Sequence, residues 1–600
     1  MSSIKELWYM RIFQPCQNTI SVQKNKFHSA NSDTNGFKVK EIIRKQKSDS
    51  SCFAEGIVAF CLLFIGAFHE YISCIAAVAI IAWLGYQSVH SKGLTFYLNL
   101  TSVSILCAVA LYGVSAFWAV DSGMALIGFA KYLPVLLYLL VLMQTENTNE
   151  ILAHIPLIAA GMTLVSAIGM QIQALENYFS VAGRLSGFFQ YPNTFAVFVL
   201  VAELLVFSKE KLRIFDFAIM AILLFGIFYS GSRTVFALAI VANIVLIFTA
   251  KSRKAKWFVA AVMAGFIAIA AVYTIVAGDG GALGRFLTIS LSESTFVGRI
   301  LYFKDALPLI LKHPFGLGYM GYYYIQQSVQ TGVYSVMFAH NDFLQLMLDV
   351  GWLPALLFVA AVARCIFAGK KPFYKRLILA VIVSHACFDF DLQFIGFFML
   401  LLLFTDCKEG KKYRLQKCGG IYVAGISSAL LCVYLGISLG LSHFGNYTAA
   451  FSIYPLDTRA ETELLIAETD KGKSYKLADD IIRRNQYVTV AYSVKARQAY
   501  AKGDFKSLIQ RKNKIFEKAP FAYDEYQEYC YMLITGYELY NEAGDTASAK
   551  VCMDELKSTV AKVHSIENKL SNLGKKIKDQ PVNRLPDDIE KIAALGVSGD

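Results

Sequence analysis

The chain is poor in charged residues and in recognisable cofactor motifs. Only 17% of its 600 residues are Asp, Glu, Lys or Arg, whereas a soluble domain usually contains about a quarter. It has no P-loop, no GxGxxG in a strand–helix–strand setting and no HExxH. Its twelve cysteines form neither a CxxC pair nor a zinc-like spacing. The sequence therefore offers no nucleotide-binding, zinc or disulfide framework.

Long apolar runs are abundant instead. Hydrophobic residues make up 56% of the chain, and runs of about twenty recur between residues 52 and 441, each long enough to cross a bilayer. We predict an all-α polytopic membrane protein with about thirteen transmembrane helices. The predicted spans are 52–68, 72–89, 96–117, 124–143, 151–171, 188–207, 213–229, 234–250, 257–277, 342–367, 375–390, 392–406 and 419–441.

The distribution of Lys and Arg predicts the orientation of these spans. The net charge of +12 falls in short clusters between spans, as the positive-inside rule requires, and not on one face as in a nucleic-acid-binding protein. Residues 1–51 lack the features of a cleavable signal peptide and are predicted to be a basic cytoplasmic tail. The basic loops predicted on the same inner side are 208–213, 251–257, 369–376 and 407–417.

Two large segments fall on the predicted outer side. A long loop, 278–341, separates two spans of the membrane domain 52–441, and loops of that length are usually functional or disordered. The polar C-terminal segment 442–600 has a helical pattern. Within it, "AYAKGDF" (499–505) and "LYNEAGDTASA" (539–549) repeat an Ala/Tyr and Gly-Asp pattern. The sequence predicts an exported domain of tetratricopeptide-like helix pairs.

Several basic residues lie where a membrane protein has few of them. Arg184, Arg233 and Arg299 lie at or near predicted outer ends of spans, where a single arginine often only reaches lipid headgroups. Three together favour a binding site for phosphate, because the guanidinium group matches phosphate oxygens bidentately. Lys131, inside a predicted span, is expected to face a polar cavity and not lipid.

Histidine and carboxylate side chains mark the outer ends of two other spans. His340 and Asn341 precede a predicted helix, so they are either a capping sequence or a catalytic group and its support. His385 and Asp389 are spaced to share a helix face. Asp389 and Asp391 are too few for a complete divalent-metal site, so we expect Asp389 to pair with an outer arginine.

Five motifs, taken in order, resemble the O-antigen ligase and Wzy-type polymerase superfamily. The resemblance covers about residues 50–410, and the helical tail is similar to tetratricopeptide extensions of some members. The motifs are "GRLSGFFQYPNTFA" (183–196), "YSGSRTVF" (229–236), "GRILYFKDALPLILKHPFGLGYMGY" (298–322), "AHNDFLQLMLDVGW" (339–352) and "HACFDFDL" (385–392).

The resemblance implies a GT-C-like glycosyltransferase of the plasma membrane. Such enzymes transfer a glycan from undecaprenyl diphosphate to an acceptor hydroxyl on the outer face, by an inverting reaction thought to need no metal or other cofactor. Carried over by motif, Arg233 and Arg299 would bind the diphosphate, and Arg184 would be a further phosphate contact. His340 would be the catalytic base, with Asn341, His385 and Asp389 in support.

The motifs leave several alternatives open. The acceptor could be another lipid-linked chain, as in a polymerase, or a lipid, wall polymer or protein, as in a ligase. Segment 442–600 could bind an acceptor or a protein partner. A different class is a transporter or flippase of lipid-linked glycans, although internal repeats and broken helices typical of transporters are not evident in the sequence. A third possibility is a non-enzymatic scaffold that only presents segment 442–600.

Overall fold

The computed structural model describes residues 49–249, 253–277, 294–416 and 419–595. The predicted cytoplasmic tail up to residue 48 and the first part of the predicted outer loop, 278–293, lie outside these residues. Within them, helices predominate and strands are few. A mostly helical chain is confirmed.

The helices and strands are numbered here in chain order. The helices are α1 (49–63), α2 (Glu70–His90), α3 (Leu100–Val114), α4 (Ser122–Gln144), α5 (Thr148–Gly169), α6 (Glu176–Phe179), α7 (Pro192–Phe207), α8 (Ile214–Tyr229), α9 (Arg233–Thr249), α10 (Arg253–Ala277), α11 (Ser294–Lys312), α12 (Gly321–Val329), α13 (Asp342–Val350), α14 (Trp352–Phe367), α15 (Phe373–Ala386), α16 (Ile395–Leu402), α17 (Gly419–His443), α18 (Tyr447–Ile453), α19 (Thr458–Ala467), α20 (Lys471–Arg484), α21 (Thr489–Ala501), α22 (Phe505–Lys518), α23 (Tyr523–Glu542), α24 (Thr546–His564) and α25 (Asp587–Leu595). The strands are β1 (Leu94–Leu98), β2 (Ser180–Val181), β3 (Arg184–Leu185) and β4 (Lys411–Leu415).

An apolar helical bundle forms the first two thirds of the molecule. Among the described residues, five helices are long and apolar enough to cross a membrane, namely α2, α3 with its short 3-10 extension, α4, α5 and α17. Helices α7, α8, α9 and α14 and part of α10 are apolar but shorter. The structure therefore has many apolar helices, whereas the count of thirteen complete spans stays a prediction.

The predicted span 96–117 has the wrong beginning. Residues Leu94–Leu98 form strand β1, which pairs antiparallel with β4 so that Leu94 lies opposite Leu415. Its sequence, LTFYL, is rich in residues that favour strands. Helix α3 begins only after Asn99, whose side chain accepts a hydrogen bond from the Ser102 N–H and so caps the helix.

The predicted span 342–367 is two helices and not one. The chain breaks at Gly351, where φ is +88° and a Cβ atom would lie 2.3 Å from the carbonyl oxygen of Pro314. Only glycine fits such a close approach at a positive φ. The predicted span 392–406 contains the end of a 3-10 helix (Asp391–Gln393) and the eight-residue helix α16, which is about 12 Å long and too short to cross a bilayer alone.

Segments predicted to lie on the same side of the membrane do lie together. At one end of the bundle, β1 pairs with β4 and the Lys408 ammonium donates to the Glu146 carbonyl. At the other end, the Trp118 indole N–H donates to the carbonyl of Phe315, which ties the predicted loop near 118 to the predicted outer loop. This grouping agrees with the alternating topology, and the direction of the chain across the membrane remains a prediction.

The C-terminal segment folds into antiparallel helices that rest on the same end of the bundle as the predicted outer loops. The repeated Gly-Asp pairs explain its turns. Gly503 and Gly544 have positive φ after α21 and α23, and Asp504 and Asp545 then cap α22 and α24 through their side chains. The helix pairs are thus visible, while their assignment as tetratricopeptide repeats stays a prediction.

Candidate active site

A fully buried carboxylate, that of Asp389, is the centre of the candidate site. Its Oδ2 atom lies 3.0 Å from Nη2 of Arg299 and accepts a hydrogen bond of 2.8 Å from the Asn193 amide. Its Oδ1 atom accepts a hydrogen bond of 2.8 Å from the Tyr191 hydroxyl and lies 3.3 Å from Nδ1 of His340. We call these five residues the Asp389 cluster.

Four separate segments bring the Asp389 cluster together. Asp389 follows helix α15, Arg299 lies in the first turns of α11, and His340 immediately precedes α13. Tyr191 and Asn193 flank Pro192, the first residue of α7, where proline favours helix initiation because its φ is already fixed. The expected pairing of Asp389 with an arginine is confirmed by the Arg299 contact.

The backbone around His340 is held in an uncommon conformation. His340 has a φ of +52°, which is unfavourable for a residue with a Cβ atom and persists only where neighbours enforce it. Asn341 supplies that constraint. Its Oδ1 atom accepts from the Phe343 and Leu344 N–H groups at 3.0 Å, and its Nδ2 atom donates to the Cys387 carbonyl at 2.8 Å.

The His340 imidazole lies in an aromatic surround that leaves one side open. Its ring packs edge-on against Phe390 at 5.0 Å and lies 5.8 Å from the ring of Tyr302. About a fifth of its side chain remains exposed, as does 17% of the Arg299 side chain. A histidine and an arginine thus reach the surface side by side, above a carboxylate that is inaccessible.

Arg184 links this cluster to the segment that carries Arg233. Its Nε atom donates to the Ser230 carbonyl at 2.7 Å, and its Nη2 atom donates to Oδ1 of Asn193 at 2.8 Å. Arg233 begins helix α9 three residues after Ser230 and is half-buried. These bonds favour a positioning role for Arg184, and its predicted phosphate contact remains untested.

His385 lies apart from the open side of the cluster. Helix α15 ends at Ala386, so Asp389 does not share its face with His385 as the sequence spacing predicts. The buried His385 imidazole instead contacts Asp391 through Nδ1 at 2.6 Å, and Thr194 donates to the other oxygen of Asp391 at 2.7 Å. His385 is therefore a support for the loop and is not open to substrate.

Asp389 and Arg299 each stabilise the charged form of the other. Burial alone would raise the pKa of the Asp389 carboxyl, but the Arg299 guanidinium and His340 hold that pKa well below its ordinary value. Burial opposes the charge of Arg299 as well, yet Asp389 raises the pKa of this guanidinium. Both groups are therefore charged near neutral pH.

Lys131 belongs to a second buried network. Its ammonium donates to the Tyr319 hydroxyl at 3.1 Å and lies 4.8 Å from the centre of the Phe68 ring. The Tyr319 hydroxyl donates to Glu70 at 2.8 Å, and Glu70 pairs with Arg459 of the C-terminal segment at 2.9 Å. Lys131 thus faces the protein interior, as expected of a lysine inside an apolar helix.

Sequence reasoning missed Tyr191, Asn193 and the central position of Asp389. The first two lie in the quoted stretch "GRLSGFFQYPN", but nothing in a single sequence shows that they meet a residue almost two hundred positions away.

Within the described residues, no group of three or more His, Cys, Asp and Glu side chains is placed to hold a metal ion.

Comparison with known proteins supports the resemblance over part of the chain. A family model described as O-antigen ligase matches residues 218–359. That segment contains Arg233, Arg299 and His340 and excludes Arg184 and Asp389. No curated protein matches the chain. The match, which covers about a quarter of the chain, supports the resemblance to the O-antigen ligase superfamily, and the apolar helices support a membrane-embedded protein.

Proposed function

We propose that this O-antigen-ligase-like protein transfers a glycan from undecaprenyl diphosphate to an acceptor hydroxyl at the outer face of the plasma membrane. One observation carries the proposal. The buried carboxylate of Asp389 lies 3.0 Å from Nη2 of the partly exposed Arg299 and 3.3 Å from Nδ1 of the partly exposed His340, so the two basic groups are next to each other. Deprotonation of a hydroxyl and departure of a diphosphate need these two groups in close proximity.

His340 is the proposed general base. With the proton of a neutral imidazole on Nδ1, facing Asp389, the Nε2 atom has a free lone pair for the acceptor hydroxyl proton. The carboxylate then stabilises the imidazolium that forms, as in other acid–histidine pairs. Since Asp389 is buried and charged, it can hold the ring orientation without itself becoming protonated.

Arg299 is the proposed group that stabilises the leaving diphosphate. The acceptor oxygen forms a bond to the anomeric carbon while the bond from that carbon to the diphosphate oxygen breaks. The bonding electron pair leaves with the diphosphate, and the hydroxyl proton moves to His340. A fixed guanidinium can stabilise the developing phosphate charge. One displacement of this kind inverts the anomeric centre, and no step written here uses a metal.

The remaining assignments extend this scheme. Arg233 is proposed as a second diphosphate contact, because Arg184 holds the turn that precedes it. The membrane domain is 52–441, with its N-terminus cytoplasmic, and 442–600 is an extracytoplasmic helical domain that contacts an acceptor or protein partner. Ligase and polymerase activities differ only in the acceptor, which the cluster does not discriminate.

Transfer by purified protein tests the proposal. The wild type and His340→Ala, each in lipid nanodiscs, would receive an undecaprenyl-diphosphate-linked glycan and candidate acceptors, with and without EDTA. We expect release of undecaprenyl diphosphate to fall about 10²- to 10⁴-fold in the variant, the usual contribution of a general base. A ladder of products would indicate a polymerase, and a single shift of one acceptor a ligase.

A matched histidine variant controls for nonspecific damage. His154 is 57% exposed and pairs with Glu55 away from the Asp389 cluster, so His154→Ala should transfer at the wild-type rate. Equal activity of His340→Ala and wild type would overturn the assignment of His340 as base. Loss of activity in EDTA would overturn the metal-free scheme.

A further inference from the structure

A cleft of about 710 Å³ lies between the membrane domain and the C-terminal helices, outside the Asp389 cluster. One wall consists of residues 118–120 and 312–317, and the other consists mainly of residues 482–487. The cleft lies on the side of the predicted outer loops. It therefore opens to the compartment in which the proposed reaction takes place.

The cleft has an excess of positive charge. Lys312, Arg483 and Arg484 line it, and none of its lining residues is acidic. His313 also lines the cleft, but burial and the nearby Lys312 lower the pKa of its imidazole, so it adds no charge near neutral pH. Arg484 pairs with a glutamate behind the wall, and the exposed Arg483 pairs with Asp480 on its own helix. No described carboxylate lies within ion-pair distance of Lys312. An anion in the cleft would therefore meet Lys312, which has no described carboxylate partner, and two arginines whose carboxylate partners are not among the lining residues.

Aromatic rings lie beside these cations. The Trp118 indole is held in place because its N–H donates to the Phe315 carbonyl at 3.1 Å, and the two rings lie 6.2 Å apart. Phe315 is 70% exposed, and Tyr487 lines the opposite wall. Exposed rings with fixed polar groups suit a ligand that has both apolar faces and hydrogen-bonding edges, as sugars do.

The cleft is connected to the proposed catalytic base through a single short helix. The Leu317 N–H donates to the Leu348 carbonyl at 2.6 Å, and the Gly318 N–H donates to the Asp349 carbonyl at 2.9 Å. Both carbonyls belong to the last turn of α13, whose first turn follows His340. Nine helical residues extend about 13 Å, so one oligosaccharide could span from the cleft to His340.

We propose that this cleft binds an acidic saccharide, a carboxylate- or phosphate-bearing stretch of the glycan donor or acceptor. That the ligand is a saccharide rests on the proposed function, whereas its negative charge follows from the lining residues. The cleft would then select acidic glycans and hold them at a fixed distance from the reacting end.

Direct binding to the full-length protein tests this proposal without requiring catalysis. The probe is fluorescently labelled hexagalacturonate, compared with labelled maltohexaose, on protein in zwitterionic-lipid nanodiscs. We expect hexagalacturonate to bind more tightly than maltohexaose and to weaken with salt. The double variant Lys312→Glu/Arg483→Glu should bind it at least about tenfold more weakly, which corresponds to the loss of one or two charge contacts.

Two controls separate the outcomes. Lys502→Glu/Lys506→Glu makes the same charge change on an exposed part of the same helical domain and should bind the probe as the wild type does. His340→Ala should also bind normally, so a failure of the proposed catalysis leaves this result intact. Equal binding by the cleft variant and wild type, or no binding at all, would overturn the proposal. Displacement of the probe by phosphatidylglycerol nanodiscs would show a lipid-headgroup site and overturn it as well.

Discussion

Two buried carboxylates, Asp389 and Glu70, are both paired with arginine, yet their surroundings differ. Asp389 receives two neutral donors, from Tyr191 and Asn193, in addition to Arg299. Glu70 receives the Tyr319 hydroxyl and Arg459. We call Glu70, Tyr319, Lys131 and Arg459 the Glu70 cluster.

The difference lies in what each carboxylate holds. Glu70 joins segments distant in sequence, since Arg459 belongs to the C-terminal helices and Lys131 is 1% exposed within the bundle. Asp389 instead lies beside His340 and Arg299, both of which reach solvent. The same kind of ion pair therefore serves assembly in the Glu70 cluster and, in our proposal, chemistry in the Asp389 cluster.

Removal of Arg299 should produce the largest effect. Arg299→Ala leaves Asp389 buried without its cation, so we expect a loss of about 3–5 kcal/mol in the free energy of unfolding. We also expect transfer to fall about 10²- to 10³-fold through the loss of phosphate stabilisation. Arg299→Lys should recover part of both, since it restores the charge but not the guanidinium geometry. Denaturant titration and glycan transfer measure the two quantities.

Arg497→Ala is the matched control for that experiment. Arg497 is exposed and pairs with Glu528 on the surface, and such pairs contribute about 0–1 kcal/mol. If Arg299→Ala were no more destabilising than Arg497→Ala, Asp389 would not depend on Arg299 for its charge.

Neutralisation of Glu70 should loosen the C-terminal domain more than it affects transfer. Glu70→Gln removes the carboxylate that Arg459 contacts, and because Arg459 is about one third exposed, we expect a loss of about 1–3 kcal/mol. Faster proteolysis between the two domains would report it. Glu70→Gln/Arg459→Gln should recover part of the loss. If transfer fell as far as in Arg299→Ala, the proposed division between assembly and chemistry would fail.

Tyr191→Phe should have a smaller effect than either change. It removes one of the hydrogen bonds to Asp389 and leaves those of Asn193 and Arg299, so we expect about 1 kcal/mol and at most about a tenfold decrease in transfer. Tyr540→Phe, which removes an exposed hydroxyl contact to a backbone carbonyl, serves as the control. A loss as large as that of His340→Ala would show that Tyr191 itself takes part in the reaction.

The smallest expected effect concerns pH. The pKa of Asp389 is lowered by folding below its ordinary 3.8, so its stabilising contribution is present above that value and disappears as pH falls through the folded pKa. In a His340→Ala background, which removes the adjacent imidazole, the difference in unfolding free energy between His340→Ala and His340→Ala/Asp389→Asn should be constant from about pH 5 to 8. A marked slope within that range would indicate that Asp389 titrates near neutrality.

Much of the helical architecture could be predicted from apolar runs, because long hydrophobic segments have few alternatives in a bilayer. The exceptions have local causes. The strand at Leu94–Leu98 depends on its partner more than three hundred residues later, and the break at Gly351 depends on the close approach of Pro314. Neither constraint is visible in a sequence window.

Only part of the candidate site could be predicted from the sequence. His340 and Arg299 were recognisable because basic side chains are unusual at the predicted outer ends of apolar segments. Asp389 was predicted only as an arginine partner, and Tyr191 and Asn193 were not identified. Their role depends on contacts across about two hundred residues, which only the folded chain reveals.

The measurement that tests the central claim most directly is a double-mutant cycle for transfer by His340 and Asp389. If Asp389 acts in part through His340, Asp389→Asn should slow transfer much less in the His340→Ala background than in the wild type, because the effects of residues that act as a unit do not add. The loss that remains in that background is the part that Asp389 exerts through Arg299. The account predicts that result, with Asp389→Asn alone strongly impaired. Fully multiplicative losses, or an Asp389→Asn enzyme as active as wild type, would contradict it.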